Sequence, residues 1–350
     1  MNPHLAPEPV QPPSRETQSL AQDRLAGLAT PPGALGRLGD LGVWLASAQG
    51  VVPPSPLDNI RLVIFAGDHG VAAHGVSAYP PAITAAMVRT FVAGRAGVSA
   101  LAAAHDVHVR VLDLGVDDDL TDVPSEVIAH KVTRGSGAIH LEDALTVEQT
   151  TQAFEIGRTV AREEIAAGAQ LLLSGDMGIG NTTPAAAIIA AALGLPASEV
   201  TGRGTGVDDA GLAGKEQVID QALGRTRGRT DDPMATLATL GSADLAASTG
   251  YLVEAATAGV PVLLDGLMSV ACALTAERIA PGAVAWFAAG HRSTEPAQSL
   301  ALSKLGLEPV LDLGMRLGEG SGAVSAVPVL RSAVAVLRDV AMLSELMPDA

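Results

Sequence analysis

Residues 171–193 read Leu-Leu-Leu-Ser-Gly-Asp-Met-Gly-Ile-Gly-Asn-Thr-Thr-Pro-Ala-Ala-Ala-Ile-Ile-Ala-Ala-Ala-Leu. A short apolar run is followed by a glycine-rich turn and then by an Ala- and Ile-rich segment that predicts a helix over 185–193. Thr182 or Thr183 can cap this helix, and Pro184 suits its first turn. The stretch therefore predicts a strand, a tight turn and a helix, which together form one unit of an α/β fold.

The same order recurs along the chain, since an apolar run precedes a Gly-rich or polar turn at 62–66, 107–112, 171–173, 262–264, 284–288 and 310–313. Six short apolar strands separated by helical segments predict a parallel, Rossmann-like sheet flanked by helices. Ligands of such sheets bind beyond the carboxyl ends of the strands. The Gly-rich turns are therefore expected to converge on one site.

The two chain ends lie outside this alternation. Residues 1 to about 15 are Pro-rich and are expected to be disordered, and 24–48 has helical apolar spacing that Pro31-Pro32-Gly33 interrupts. We expect an α/β nucleotide- and base-binding domain over 51–324. A smaller helical domain is expected to form from 1–50, which is partly disordered, and 325–350.

The composition narrows the classes of partner. The formal net charge of −16 over 350 residues and the low aromatic content of 2% argue against a nucleic acid or an anionic membrane surface as a partner. The only basic cluster, Arg225, Arg227 and Arg229, is typical of a solvated loop. An anionic small molecule stays open, because backbone N–H groups and one Lys can hold it locally.

Cysteine and histidine usage exclude two further classes. Cys272 is the only cysteine, so the chain forms no internal disulfide and a reducing compartment is expected. The eight His residues and this cysteine show no zinc-ligand spacing, so no metal is expected. The sequence has neither a signal-peptide pattern nor a run of about eighteen apolar residues. These features predict a cytoplasmic protein.

A lone carboxylate, Glu319, stands among three glycines in the run 315–323, Met-Arg-Leu-Gly-Glu-Gly-Ser-Gly-Ala. Glycines let the backbone turn tightly and approach a ligand closely. A carboxylate on such a turn can reach into a cleft and accept a proton there. A surface Glu at the start of a helix fits this stretch equally well when it is taken alone.

Two other segments have the character of anion sites. The 175–183 turn opens a helix, whose free N–H groups can hold an anion, although its spacing matches neither the P-loop nor the standard dinucleotide pattern. The run 202–209, Gly-Arg-Gly-Thr-Gly-Val-Asp-Asp, leads to Lys215. This loop and Lys could neutralise a monophosphate, or they could be a linker and a surface Lys.

Polar groups follow two more of the predicted strands. The runs 67–70, Gly-Asp-His-Gly, and 75–80, Gly-Val-Ser-Ala-Tyr-Pro, follow the first strand, and 290–295, Gly-His-Arg-Ser-Thr-Glu, follows the fifth. The Asp-His pair suggests a carboxylate–imidazole contact, and a structural His is at least as good an interpretation. The last run suits a sugar or a carboxylate.

Taken together, these segments resemble the nicotinate-nucleotide:dimethylbenzimidazole phosphoribosyltransferases of cobalamin lower-ligand assembly. The matching runs, in the family's order from about residue 60 to 330, are GDHGV, GVSAYP, GDMGIGNTTPAAA, GRGTGVDD with Lys215, LLDGLMS, GHRS and MRLGEGSGA. The resemblance implies transfer of phosphoribose from nicotinate mononucleotide to 5,6-dimethylbenzimidazole. The products would be α-ribazole 5′-phosphate and nicotinate.

The resemblance also implies roles for individual residues. Glu319 would be the general base, with Asp176 as a second catalytic carboxylate near it. The residues implied in nucleotide binding are Gly178, Asn181, Gly204, Lys215, His291 and Ser293. Those implied in the base pocket are Ser77, Tyr79, Met87, Met177 and Leu317. No cofactor is implied, and a homodimer is expected from the family.

Two departures from the family's pattern concern the same site. Asp176 stands where the family usually has a Glu, and 84–87 reads Thr-Ala-Ala-Met where relatives often carry a Gln. The alternatives left open are phosphoribosyl transfer to another azole or a phenolic acceptor, and a non-catalytic nucleotide-binding protein. The setting of Glu319 argues against the last of these.

Overall fold

Six parallel strands form one sheet in the computed structural model of the chain, which describes residues 9–346. The strands are β1 (Ile60–Gly67), β2 (Val107–Gly115), β3 (Leu171–Met177), β4 (Val262–Leu264), β5 (Phe287–His291) and β6 (Pro309–Leu311). Their spatial order is β2-β1-β3-β4-β5-β6, and every neighbouring pair is parallel. The direction of winding reverses between β1 and β3, which is where ligands of such sheets bind. The predicted fold class is confirmed.

Helices cover both faces of the sheet. Within the described residues they are α1 (Arg15–Gly27), α2 (Gly36–Gln49), α3 (Ile83–Val92), α4 (Gly97–Ala104), α5 (Ser125–Ile128), α6 (Val147–Ala166), α7 (Thr182–Leu193), α8 (Ala197–Val200), α9 (Asp209–Arg225), α10 (Pro233–Leu240), α11 (Ala243–Thr257), α12 (Leu267–Ile279), α13 (Pro296–Leu305), α14 (Ser321–Asp339) and α15 (Leu343–Leu346). Short 3-10 helices lie at Gly70–His74 and Ala283–Trp286.

Side chains of β1 point alternately into two hydrophobic cores, one on each face of the sheet. Val63 and Phe65 face a core that α6, α7, α11 and α12 complete. Leu62 and Ile64 face the opposite core, to which α3, α4 and α14 contribute. Successive side chains of a strand point to opposite faces, so a continuous apolar run such as 62–66 is the pattern of a strand buried on both sides.

The chain ends meet on one side of the sheet. Helices α1 and α2 pack against α14, and Arg24 Nε and Nη2 donate to the carbonyl oxygens of Leu337 and Arg338 at 2.6 and 2.9 Å. Helix α14 starts at Ser321, so the expected boundary between 324 and 325 falls inside a helix. A separate small domain stays a prediction.

The expected disorder is wrong for 9–14, while residues 1–8 lie outside the described part of the chain. Val10 is buried, and its N–H donates to the carbonyl oxygen of Pro281 at 3.0 Å. Apolar burial and a backbone hydrogen bond therefore fix this Pro-rich segment against the α/β core.

The fifth strand begins later than predicted, at Phe287 instead of residue 284. The carboxylate of Glu277 accepts the backbone N–H groups of Gly282 and Val284 at 3.0 and 2.8 Å. This side chain holds the preceding residues in a 3-10 turn, which the apolar pattern alone did not reveal.

Helix α14 has the length and mean hydropathy, 1.2, of a membrane-spanning helix. It nevertheless packs against α2 and β5. Its Arg331 donates to the carbonyl oxygens of Leu57 and His105 at 3.0 and 2.7 Å. Burial of its apolar side chains in the protein core explains its composition.

Candidate active site

A cavity of about 410 Å³ opens beyond the carboxyl ends of the central strands. The predicted site residues that line it are Tyr79, Met87, Asp176, Met177, Gly178, Asn181, Gly204, His291, Ser293, Leu317 and Glu319. Ser77 and Lys215 lie outside the lining. Segments that are separated by more than two hundred residues along the chain thus meet at one edge of the sheet, as parallel topology requires.

Glu319 lies in the cavity wall in a strained conformation. Its backbone φ is 65°, in the left-handed region that non-glycine residues rarely adopt. Its side chain is buried, and Oε2 accepts the N–H of Val98 at 3.0 Å. Burial raises the pKa of Glu319, and the Val98 hydrogen bond opposes that shift without cancelling it. The carboxylate is therefore a stronger proton acceptor than an exposed Glu.

Asp265 anchors the turn that carries Glu319. Its Oδ2 accepts the N–H of Gly320 at 3.1 Å, and its Oδ1 accepts those of Gly322 and Ala323 at 2.8 and 3.0 Å. These N–H groups belong to the N-terminal end of α14, where a helix leaves donors free and favours negative charge. A side chain from the end of β4 thus fixes the position of Glu319.

Close backbone packing requires glycine at two positions beside this turn. A Cβ atom on Gly175 would overlap the carbonyl oxygen of Glu319, and one on Gly322 would overlap the imidazole of His291. The glycines of these motifs therefore serve close approach of backbone to backbone and of helix to side chain.

Asp176, at the end of β3, is the second carboxylate of the cavity. It is 6% exposed, and its Oδ1 accepts from Asn181 Nδ2 at 2.6 Å. Burial raises the pKa of Asp176 well above its ordinary value, and the neighbouring Asp244 carboxylate raises it further.

The loop at 202–206 forms another wall, and Lys215 lies beneath it. Lys215 is fully buried, and its Nζ donates to Thr182 Oγ1 and to the carbonyl oxygen of Gly202 at 2.7 and 2.9 Å. Burial lowers the pKa of Lys215, which the Glu295 carboxylate partly offsets. These contacts show Lys215 supporting the loop from below.

Glu295 and Arg316 hold the same loop from the cavity side. Glu295 Oε1 accepts the N–H of Gly204 at 2.7 Å, and Arg316 Nη1 donates to the carbonyl oxygen of Gly204 at 3.1 Å. Both side chains line the cavity. The guanidinium adds positive charge beside the glycine loop, which suits an anionic group.

His291 is the last residue of β5, and Ser293 lies in the turn that follows the strand. His291 is buried, with Nε2 3.6 Å from Asp265 Oδ1. The N–H of Ser293 donates to Gln298 Oε1 at 2.6 Å, and its Oγ accepts the N–H of Glu295 at 3.3 Å. These bonds shape the turn that leads into α13.

The opposite part of the cavity is apolar. Ile83, Met87, Met177 and Met268 line it, and Tyr79 and Leu317, which are 55% and 53% exposed, lie at its rim. Flexible thioethers adapt to ligands of varied shape. This wall suits a flat aromatic ring, whereas the glycine loop suits an anion.

Outside the lining, Ser77 ties two loops together. Its Oγ lies 3.1 Å from Thr205 Oγ1, which also accepts the N–H of Ala78 at 2.9 Å. The 75–80 segment is thereby joined to the 202–206 loop. Ser77 consequently positions the rim of the cavity.

Comparison with known proteins identifies the family. Residues 10–346 match the family described as Phosphoribosyltransferase. The chain is 52% identical over 336 residues to the nicotinate-nucleotide–dimethylbenzimidazole phosphoribosyltransferase of Mycolicibacterium paratuberculosis, with 96% of each chain covered. It is 51% identical over 337 residues to that of Mycobacterium tuberculosis, which covers 96% of this chain and 93% of the relative.

The chain belongs to the nicotinate-nucleotide–dimethylbenzimidazole phosphoribosyltransferase family. The crystal structure of CobT from Thermus thermophilus superposes with a TM-score of 0.91 at 44% identity, over 95% of this chain and 98% of that one. The crystal structure of a nicotinate-nucleotide–dimethylbenzimidazole phosphoribosyltransferase from Thermus thermophilus superposes with a TM-score of 0.90 at 42% identity, over 96% of this chain and 99% of that one. The family resemblance inferred from the motifs is confirmed. The predicted enzyme class, a transferase that moves a phosphoribosyl group, is confirmed as well.

Several residues that line or support this cavity were not predicted from the sequence. Arg316 and Asp265 lie inside motifs that carried the resemblance, and Glu295 lies two positions after the GHRS motif. The sequence therefore showed where these residues are, but not which groups they contact. Asp244 had no comparable signal, because only the fold brings the first turn of α11 behind β3. Within residues 9–346 no group of three or more His, Cys, Asp or Glu side chains is arranged to hold a metal ion.

Proposed function

We propose that this phosphoribosyltransferase transfers the phosphoribosyl group of nicotinate mononucleotide to 5,6-dimethylbenzimidazole, with Glu319 as the general base. One observation carries the proposal. A buried carboxylate with a raised pKa lies in a cavity that has an apolar wall on one side and a glycine loop with Arg316 on the other. The names of the relatives, which state this pair of substrates, support it.

In this reaction one nitrogen of the benzimidazole attacks C1′ of the ribose while the other loses its proton to Glu319. The bond from C1′ to the nicotinate nitrogen breaks, and its electron pair neutralises the pyridinium. The leaving group therefore needs no proton. Displacement on the face opposite nicotinate inverts C1′, so the products are α-ribazole 5′-phosphate and nicotinate. Holding both substrates in one cavity supplies much of the acceleration.

The site residues divide between the two substrates. We place the benzimidazole ring against the apolar wall, near Met87 and Met177 and beneath Tyr79 and Leu317 at the rim. We place the nucleotide along Gly178, Asn181, Gly204, His291 and Ser293, with its phosphate near the glycine loop. Lys215 is proposed to act through that loop, because its Nζ is already bonded to Thr182 and Gly202. A cytoplasmic homodimer is the proposed form of the enzyme.

The direct test is incubation of purified protein with nicotinate mononucleotide and 5,6-dimethylbenzimidazole, followed by mass detection of α-ribazole 5′-phosphate. Glu319→Gln is expected to lower kcat by about 10²–10⁴-fold, which is the usual contribution of general-base catalysis. Nucleotide affinity, measured by calorimetry, should stay near that of the wild type.

The matched control for this variant is Glu148→Gln, since Glu148 is exposed in the first turn of α6 and does not line the cavity. It should leave kcat unchanged. A Glu319→Gln enzyme that keeps more than about a third of wild-type kcat would contradict the assigned role, given that range for base catalysis.

A second acceptor is favoured by the composition of the apolar wall. Met87, Met177 and Met268 are flexible, and none supplies a strong hydrogen bond to a substituent of the ring. The enzyme should therefore accept unsubstituted benzimidazole as a substrate. Its kcat/KM should be lower than that of 5,6-dimethylbenzimidazole by at most about 10–200-fold for each missing methyl group. Competition assays with mixed azoles and a phenol measure this ranking. Exclusion of benzimidazole by far more than that range would mean that a polar group recognises the ring.

A further inference from the structure

Behind Asp176 lies a chain of buried ionisable groups that the proposed reaction does not use. Asp244, in the first turn of α11, is fully buried, and His69, which follows β1, is 3% exposed. Both oxygens of Asp244, both ring nitrogens of His69 and Oδ2 of Asp176 are buried without an assigned hydrogen-bond partner. Unpartnered polar atoms in such number require a physical explanation.

The three side chains touch in sequence. The carboxyl groups of Asp176 and Asp244 are close enough to interact directly, and His69 Nε2 lies 3.5 Å from Asp244 Oδ2. Glycine makes this packing possible, because a Cβ atom on Gly67 would overlap Asp244 and one on Gly178 would overlap the carbonyl oxygen of Gly67. The contact is therefore built into the backbone.

Two carboxylates in contact and out of water cannot both be ionised. One proton between them satisfies an oxygen of each residue, and the His69 imidazole lies 3.5 Å from Asp244 Oδ2. The His69 imidazole beside Asp244 favours the negative charge on Asp244, and the unpartnered Oδ2 of Asp176 leaves room for the proton there. Burial and the Asp244 carboxylate raise the pKa of Asp176 in the same sense. Asp244 then remains the acceptor.

We propose that Asp176 works as a neutral carboxylic acid that donates its proton to Asp244, and that Asp244 and His69 are positioning residues that keep it neutral. Asp176, which the family resemblance implied as a second catalytic carboxylate, is then a neutral acid and not a base. The neutral acid fixes Asn181 through Oδ1 and spares the cavity a negative charge. The advantage of this missing charge for binding an anionic nucleotide rests on the proposed function, whereas the protonation state of Asp176 does not.

Other titratable groups around the pair are Glu319 and Asp265 on the cavity side and Cys272 of α12 behind. Asp265 adds to the raised pKa of Asp176. Burial, together with the Asp244 carboxylate, raises the pKa of Cys272 to about 12. Neither the thiol nor the anchored Asp265 can take the proton in place of Asp176, because the thiol holds its own and Asp265 already accepts three N–H groups.

The first experiment is infrared spectroscopy of the protein without substrate at neutral pH. A carbonyl band of a protonated carboxyl group, which shifts in heavy water, is expected in the wild type. The band should vanish in Asp176→Asn and persist in Asp220→Asn, whose carboxylate is exposed on α9. Absence of the band from the wild type, or its persistence in Asp176→Asn, overturns the proposal.

The second experiment uses Asp244→Asn, which removes a like charge and the acceptor, so Asp176 should ionise at lower pH. The ratio of its Kd for nicotinate mononucleotide to that of the wild type, by calorimetry, should reach about tenfold near pH 8 and approach one near pH 5. A ratio independent of pH overturns the proposal. If the wild type does not bind the nucleotide, the proposed function fails while the infrared result still decides the protonation state. The infrared result also decides it if Asp244→Asn does not fold.

Discussion

Three properties distinguish Glu319 from an ordinary exposed glutamate. It has a left-handed backbone, a buried side chain and a raised pKa. Strained backbone of this kind persists where surrounding contacts over-determine it, and it clusters at functional sites. Here Val98 holds the side chain and Asp265 holds the following backbone. The strained turn places the Glu319 carboxylate in the wall of the cavity.

The proposed role of Glu319 as general base predicts how the reaction depends on pH. A general base works in its deprotonated form, and burial raises the pKa of Glu319 above the ordinary value of 4.5. Activity should therefore be full at neutral pH and fall on acidification, with its midpoint above 4.5. Measurement of kcat/KM against pH, with thermal unfolding followed at each point as a control for stability, gives this midpoint. An acid limb that lies at or below the ordinary value would show that burial does not control the base.

At the scale of the element, the N-terminal end of α14 is the part of the fold that organises the site. Its first donors bind Asp265 instead of a cap residue from its own turn, so the helix is joined to the end of β4. Negative charge at a helix N-terminus is stabilised by the helix dipole. These hydrogen bonds consequently join the strand, the helix and the Glu319 turn into one unit.

Asp265→Asn is expected to weaken that unit. The variant loses the charge and one of the two acceptor oxygens, and hydrogen bonds to charged groups contribute about 1.5–3 kcal/mol. Both the unfolding free energy, from denaturant titration, and kcat should fall, because Glu319 lies on the anchored turn.

The control is Asp232→Asn at the exposed N-cap of α10, since Asp232 accepts one N–H. It should lower stability by less than about 1 kcal/mol and leave kcat unchanged. Equal effects of the two variants on kcat would mean that Asp265 does not position the base.

At the scale of the whole molecule, the sequence predicted those features that depend on local pattern. The run at 171–193 indicated a strand, a turn and a helix, and the structure has β3 and α7 there. Contacts between distant segments were not predictable. Val98 and Glu319 are 221 positions apart, and the sequence around either residue does not indicate that one supplies an N–H to the other. The buried contact of Asp176 with Asp244 was missed for the same reason, because apolar periodicity predicts which face is buried and not which polar groups meet there.

The chain ends give the last prediction, which separates scaffold from site. Arg24 of α1 donates to the carbonyl oxygens of Leu337 and Arg338 at the last turn of α14, where a helix leaves acceptors free. Arg24→Ala should therefore lower the unfolding free energy by about 1.5–3 kcal/mol. Its kcat/KM per folded molecule should stay unchanged, because these contacts lie at the end of α14 opposite Glu319.

Arg15→Ala is the control, since Arg15 is exposed at the start of α1, the helix that also carries Arg24. Denaturant titration and steady-state assays of both variants decide the matter. A fall in kcat/KM for Arg24→Ala without a loss of stability would mean that the packing of the chain ends adjusts the Glu319 turn through the length of α14.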